Sequence, residues 1–221
     1  MHRLASIDDA ISEFRAGRFV VIVDDEHREN EGDLELAAEH VTPQAINFLA
    51  REARGLICTP ILGQRLDELQ IPLMVARNEG TQCTAFTISV DARQRISTGI
   101  SAPDRCLTIR LLLDPLASGD DFVQPGHVFP LRYCEGGVLV RPGHTEASVD
   151  LARLAGLYPA TVICEAMGDD GTMARMPDLV RFGRRHGIAI VAIDDLIAYR
   201  RRQEENGMSL ETPAVARVAG R

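Results

Sequence analysis

Several features are missing from this chain, and each absence removes a class of function. The first residues, Met1-His2-Arg3-Leu4-Ala5-Ser6, lack the apolar core of a signal peptide, and no later run is long enough to span a bilayer. A soluble, cytoplasmic protein that does not enter membranes is therefore expected. Five cysteines (58, 83, 106, 134, 164) are odd in number, widely spaced and never in a Cys-x-x-Cys pair. Neither a disulfide framework nor a zinc ribbon fits them. Basic residues are outnumbered, with Lys+Arg 24 against Asp+Glu 32 and a net charge of −8. This argues against nucleic acid as a partner, which needs a basic face. There is no Gly-x-Gly-x-x-Gly turn, no Walker loop and no internal repeat, so nucleotide binding is unsupported.

What is present is concentrated in ten residues, Asp24-Asp25-Glu26-His27-Arg28-Glu29-Asn30-Glu31-Gly32-Asp33. Six carboxylates and one guanidinium contribute −5 of the net charge. The run follows Phe19-Val20-Val21-Ile22-Val23, an apolar β-branched segment of the kind that forms a buried strand. It is either a solvated loop or half of a ligand site. The interleaved His27, Arg28, Asn30 and Gly32 favour the site, because crowded carboxylates are best relieved by a hard cation such as Mg2+. The spacing is not that of a calcium EF-hand.

Strands and helices alternate along the rest of the chain. Ser6 caps a helix from Ile7 to about Ala16, and Leu34–Ala37 is a short strand. Thr42-Pro43 opens a helix that buries Ile46, Leu49 and Ala53. Leu56-Ile57-Cys58 starts a strand whose ladder Pro60 limits. Residues 76–84 form a polar turn or mobile loop where a substrate lid could sit. Phe86, Ile88 and Val90 alternate as a half-buried strand. The hydroxyl-rich loop Ser97–Asp104, leading into a helix from about Arg105, suits phosphate oxygens. Two strands, 125–131 and 136–141, deliver His127 and Arg141, and Thr145 caps the next helix. An apolar strand then ends at Glu165, a helix runs from Pro177 to His186, Ile188–Ile193 is a strand, and Asp194 or Asp195 caps a last helix through Tyr199. The pattern predicts an α+β chain, a three-layer α/β/α sandwich around a mixed β-sheet in a single domain over 1–205, with 206–221 a tail or linker.

Strand ends thus present Glu29, Glu31, Asp33, His127, His144 and Glu165, with Arg28 and Arg141 close in sequence. Singly, each has a structural explanation; His127 alone is more often a satisfied structural residue. Together they suggest a metal-assisted enzyme acting on a small phosphorylated substrate, without naming the reaction. A metal-dependent phosphosugar isomerase or aldolase and a non-catalytic metabolite-binding domain remain alternatives.

Five ordered blocks make the reading more specific: 24–33, Ser101-Ala102-Pro103-Asp104-Arg105, Pro125-Gly126-His127-Val128-Phe129-Pro130-Leu131, Gly143-His144-Thr145-Glu146-Ala147 and Asp169-Asp170-Gly171-Thr172-Met173-Ala174-Arg175. In that order they resemble the signature of 3,4-dihydroxy-2-butanone 4-phosphate synthase, an enzyme family of riboflavin biosynthesis, over roughly Ile7–Arg201. The resemblance implies conversion of D-ribulose 5-phosphate to 3,4-dihydroxy-2-butanone 4-phosphate and formate. It implies Mg2+ or Mn2+, two ions per site with substrate bound, no organic cofactor, and a homodimer with active sites near the interface. Glu29 and His144 would bind metal, with Glu31 supporting its shell. Arg28, Glu29, Asp33 and the loop Arg141–Thr145, including Gly143 and His144, would contact substrate, Arg141 and Thr145 gripping phosphate. His127, Glu165 and Asp33 would be catalytic, Glu165 also touching substrate. Cys58, Asp104 and Thr108 fall where the family has pocket residues. Pro142 and Pro60 depart from the family pattern. Many relatives continue into a GTP cyclohydrolase II domain, and Val215–Ala219 resembles the start of such a linker.

Overall fold

The computed structural model describes residues 4–208 and 210. Apolar β-branched runs form the centre. Val20–Val23 (β1) buries all four side chains, and Gly32–Ala37 (β2) buries all six. The remaining strands are Cys58–Ile61 (β3), Val90–Ala92 (β4), Phe122–Arg132 (β5), Thr161–Glu165 (β6) and Ala189–Ala192 (β7). They join in one seven-stranded sheet of order β4-β5-β3-β6-β2-β1-β7. The sheet is mixed: β1/β2, β2/β6, β3/β6 and β4/β5 run antiparallel, whereas β1/β7 and β3/β5 run parallel.

The helices are Ile7–Arg15 (α1), Pro43–Phe48 (α2), Gly63–Glu68 (α3), Ala102–Leu113 (α4), His144–Leu154 (α5), Met176–His186 (α6) and Ile193–Glu205 (α7). They cover both faces of the sheet, so the three-layer expectation holds. One apolar cluster joins Val21, Leu34, Ile46, Leu49, Ile109 and Leu179 on one side; the other joins Ile11, Phe14, Val20, Leu151 and Val191. α1 shows why such a helix forms where it does. Ser6 and Asp9 exchange hydrogen bonds as a capping box, and Ile7, Ala10, Ile11 and Phe14 fall on one buried stripe. Burying each of the larger three contributes about 1.5–3 kcal/mol relative to exposure. No helix among the described residues is long and apolar enough to cross a membrane.

Local corrections have identifiable causes. Residues 136–141 are not a strand: Gly136 and Gly137 take φ of +92° and +63°, and Gly137–Leu139 coils into a 3-10 turn. α2 passes into a π-helical turn, Leu49–Ala53, closed by Arg54 at φ +73° rather than by Gly55. α4 starts at Ala102 because Ser101, not Asp104, accepts the capping hydrogen bond. α5 starts at His144 with Gly143 as its cap, which places Thr145 inside the first turn. Asp194 and Asp195 likewise lie within the first turn of α7, after Ala192 as cap. Pro60 sits inside β3 and has no N–H to give; β3 pairs with β6 only at Cys58, while its ladder to β5 runs through Ile61. The expected tail lies largely outside the described residues, as does Val215–Ala219.

One buried ion pair fixes the loop that precedes α5. Asp150, fully buried on α5, accepts from the Tyr133 hydroxyl at 2.7 Å, from the Val138 N–H at 3.1 Å and from Arg200 of α7. A side chain at 137 would collide with the Asp150 carboxylate. Replacing Arg200 with Met leaves that charge buried without a partner, at a cost of about 3–5 kcal/mol. Thermal unfolding is expected to show Tm lowered by about 10 °C, and a change below about 2 °C would remove Arg200 from this role.

Candidate functional site

The loop between β1 and β2 is organised by its own first acid. The Asp24 side chain, 1% exposed, accepts from the backbone N–H groups of Glu29 at 2.9 Å and Glu31 at 2.8 Å, and from the Arg28 guanidinium at 2.9 Å. Arg28 also binds Glu29. From the other side Arg175 donates to the carbonyls of Glu29 and Asn30, a residue held at φ +53°. The acidic run is therefore a clamped turn that fixes Glu29 and Glu31 at the mouth of a cavity.

His144 meets Glu29 across this mouth, Nδ1 to Oε2 at 3.8 Å. Asp24, Glu29 and His144 each offer a donor atom, and the three atoms lie within 4.8 Å of one another. His144 is buried, and its Nε2 has no hydrogen-bond partner among the described residues. Carboxylate oxygens and one imidazole suit a hard divalent ion, so the residues present fit such a group. Asp24 already spends its oxygens on backbone amides and Arg28, which leaves Glu29 and His144 as the freer donors. The neighbouring His144 imidazole, with Arg28, holds the Glu29 carboxyl below the usual carboxylate range, and burial works against this.

The floor of the site comes from strand register. Asp33 on β2 pairs with Glu165 on β6, and Cys58 on β3 pairs with Ile163. Paired residues project to one face, so both carboxylates and the thiol meet there. Burial pushes the Asp33 carboxyl up to about 7, and the neighbouring charges of Glu165, Glu29 and Glu31 push the same way, against His144. Glu31 is also raised, mainly by burial, and burial drives the Cys58 thiol well up, so it is neutral. Glu165 accepts from the Leu56 N–H at 2.7 Å, over Gly55, where a Cβ would lie 2.5 Å from both the Glu165 carbonyl and its carboxylate.

Arg141 reaches the same space from the turn before α5. It donates to the buried carboxylate of Glu146, to the Gln82 carbonyl at 2.9 Å and to the Thr84 hydroxyl at 3.0 Å. The guanidinium thus ties residues 82–84 to the site. A side chain at Gly143 would collide with it. Arg28, Glu29, Glu31, Asp33, Cys58, Arg141, His144, Thr145 and Glu165 line one cavity of about 170 Å3, together with Thr84, Phe86, Leu131 and Ile163.

Four expected residues are not part of that lining, the first being Gly143, which caps α5 beside Arg141. His127 on β5 has a side chain 43% exposed, with Nδ1 2.6 Å from Asp91 Oδ2 and its N–H 2.9 Å from Asp91 Oδ1. Asp91, buried on β4, fixes the ring and leaves Nε2 as its free nitrogen. Asp104 and Thr108 are used inside the fold. The Ser97 hydroxyl and N–H and the Gly99 N–H converge on Asp104 and hold its carboxyl down at about 2. Thr108 bonds the Ala92 N–H and the Asp104 carbonyl. Two amides of the 97–104 loop, those of Ser97 and Gly99, are therefore committed to its own aspartate. Sequence reasoning missed Asp91, Arg175, Gly55 and Glu146. Only Arg175 and Glu146 carried a signal, as members of the quoted blocks.

Comparisons with known proteins agree with this geometry. The family described as 3,4-dihydroxy-2-butanone 4-phosphate synthase matches residues 8–199. A protein of that name from Neisseria meningitidis serogroup B is 52% identical over 204 residues, covering 92% of this chain and 56% of that protein. The riboflavin biosynthesis protein RibBA of Endomicrobium trichonymphae is 54% identical over 201 residues, 91% of this chain and 50% of its own. This chain spans about half the length of the curated relatives it matches. A crystal structure of 3,4-dihydroxy-2-butanone 4-phosphate synthase in complex with two magnesium ions superposes with TM-score 0.85 at 43% identity, covering 93% of this chain and 100% of that one. RibBX of A. baumannii, described as a two-domain synthase of the same name, gives TM-score 0.85 at 49% identity over 89% of this chain and 58% of its own. The chain belongs to the 3,4-dihydroxy-2-butanone 4-phosphate synthase family.

Proposed function

We propose that this chain converts D-ribulose 5-phosphate to L-3,4-dihydroxy-2-butanone 4-phosphate and formate in riboflavin biosynthesis, in the cytoplasm, with Mg2+ or Mn2+ held by Glu29 and His144. The observation that carries the reading is the convergence of Glu29, His144, Asp33, Glu165 and Arg141 on one cavity. The reaction begins by removing a proton from carbon 3 of a ketose, and then loses the carbon 1 hydroxyl as water. A skeletal shift follows, and carbon 4 leaves as formate after hydration. The divalent ion, when bound, supplies positive charge beside the substrate's developing oxyanion.

The side chains supply the rest. Arg141 presents a planar donor fork toward phosphate, aimed in advance by Glu146, with Thr145 beside it in the first turn of α5. Asp33, its carboxyl poised near neutral by burial, has the property a base needs at working pH. Glu165 is oriented by the Leu56 N–H to exchange protons without drifting. Several protons move in opposite directions, so more than one such group is needed. All 24 basic residues are arginine, so no lysine in this sequence can form the Schiff base of a covalent aldolase, and formate release separates the proposed reaction from a metal-dependent isomerase or aldolase.

His127 lies off the cavity wall with Asp91 holding its ring, and Leu73, Met74, Val75, Ile100 and Val140 are exposed. Both features support a homodimer in which His127 serves the site of the partner.

Incubation with ribulose 5-phosphate and Mg2+ is expected to release formate, and Glu29→Gln to lower turnover at least ~100-fold; no formate at any metal concentration would reject the assignment. A second expectation concerns pH. The Asp33 value of about 7 lies above the ~3.9 of an unfolded chain, so native protein keeps a proton that unfolded protein releases. That stability is full below pH ~4 and is lost as pH rises through about 7. Metal-free protein should therefore show Tm falling between about pH 5 and 8, Mg2+ should raise Tm more at the upper end, and Asp33→Asn should flatten the slope. A metal-free Tm that climbs with pH would contradict this. Finally, inactive His127→Asn and inactive Glu165→Gln, mixed and allowed to exchange subunits, should recover about a quarter of wild-type activity if His127 acts across the dimer; a mixture that stays inactive would place His127 in its own chain's site.

A further inference from the structure

The fifth sequence block, residues 169–175, supplies no side chain to the cavity lining, although it stands in the same ordered signature as residues that do. Its place in the fold shows what it reaches instead. β6 delivers Glu165, and Ala166 continues the same backbone. The Ala166 N–H donates to the Gly32 carbonyl at 2.9 Å, and its own carbonyl accepts from the Ala174 N–H at 2.9 Å. Between these points the chain folds back on itself, with Met167 bridged to Met173. Asp170 organises that turn by accepting from the Thr172 N–H at 3.0 Å and from the Thr172 hydroxyl at 2.7 Å. The return leg brings Arg175, the cap residue of α6, to the β1–β2 loop.

Two contacts seat that loop on the first turn of α6. The Arg175 guanidinium donates from a single nitrogen, Nη1, to the Glu29 carbonyl at 2.9 Å and to the Asn30 carbonyl. Leu179, one turn further on and buried, packs so closely on Gly32 that a Cβ there would lie 2.5 Å from the leucine Cδ1. Asn30 has φ +53°, a left-handed backbone that non-glycine residues adopt only at a cost, so a loop without outside support tends to relax out of it. Arg175 is itself held, its N–H donating to Asp178 Oδ2 at 3.2 Å. Asp24 thus grips the amides of the turn, and Arg175 grips its carbonyls.

We propose that Arg175 is a positioning residue for the divalent ion: its hold on the Glu29 and Asn30 carbonyls keeps the metal-free loop in the shape that sets the Glu29 carboxylate 3.8 Å from His144. The role acts through Glu29 and rests on the reading of Glu29 and His144 as the metal-binding side chains. A preset site binds more tightly because less ordering accompanies binding. The sign of the effect separates positioning from charge. A guanidinium is a cation and repels a divalent ion through space, so loss of its charge alone would tighten binding. Loss of its hold on the carbonyls loosens binding. The same hold ties the loop that carries Glu29 to the backbone that carries Glu165, which gives the fifth block a place in the site it does not line.

Two measurements on the full chain test this, using Arg175→Met and, as the control for charge, Arg181→Met, which removes a guanidinium paired with Asp178 further along α6. Both arginines are exposed, so both variants keep the fold. Hydrogen exchange of metal-free protein reads the loop directly. The Glu29 and Glu31 amides, bonded to Asp24, should exchange about tenfold faster in Arg175→Met and at the wild-type rate in Arg181→Met. Wild-type exchange in Arg175→Met overturns the proposal. Mn2+ titrated alone, followed by water-proton relaxation, should give a Kd raised about tenfold in Arg175→Met and unchanged or lowered in Arg181→Met. A Kd unchanged or lowered in Arg175→Met overturns the proposal, because Arg175 then acts as charge only, and equal weakening in the two variants overturns it as well. Mn2+ binding that survives Glu29→Gln in full rejects the metal reading of Glu29 instead, and the exchange rates still decide whether Arg175 holds the loop.

Discussion

Like charges held at one end of a sheet dominate this molecule. Register places Asp33 opposite Glu165, and the β1–β2 loop adds Glu29 and Glu31 above them. Four carboxylates around one cavity repel each other strongly in a poorly solvated place, and the fold must supply what offsets them. Arg28 contributes positive charge beside Glu29 and His144 an imidazole, Arg175 grips the backbone beneath it, and Arg141 closes the other side of the cavity. Raised Asp33 and Glu31 carboxyls are the residue of repulsion and burial that these partners leave in place. A site strained in this way is prepared for a cation.

Much of the surrounding structure serves to keep those groups still. Asp24 gives its carboxylate to two amides of its own loop, which converts a charged run into a rigid turn. Glu165 is held by the Leu56 amide, and only glycine at 55 lets the chains pass so closely. Arg141 is held by Glu146, the Gln82 carbonyl and Thr84, which ties residues 82–84 to the turn before α5. Behind it, Asp150 and Arg200 lock the 137–139 turn from the protein interior. Arginine suits these positions because a planar fork can satisfy two or three acceptors in fixed directions, where an ammonium is a point charge.

The parts of this plan that depend on local patterning were legible from the chain. Apolar β-branched runs gave β1, β6 and β7, the Ser6–Asp9 box gave the start of α1, and Thr42-Pro43 gave the start of α2. Boundaries failed where a tertiary contact outweighed local preference. Residues 136–141 read as a strand, yet Asp150, distant from that turn's own backbone ladder, captures the Val138 amide and two left-handed glycines allow the coil. The 97–104 loop has the composition of an anion site, but its amides already face Asp104. The acidic run read as either a solvated loop or half of a ligand site, and Asp24 clamps it from within by accepting from two of its amides and from Arg28.

The sequence by itself marked an acidic, oxygen-rich cluster in this chain and which residue types build it, because charge, hydrophobic periodicity and ordered signature blocks are local properties. Only the tertiary structure decided which of those residues meet. Glu29 and His144 are brought together from 115 positions apart by a hairpin loop and a helix start, Asp33 and Glu165 by antiparallel register, and Asp91 with His127 by pairing of the edge strand β4 with β5. Such meetings depend on strand order and register, and a one-residue slip would turn every one of these side chains to the opposite face.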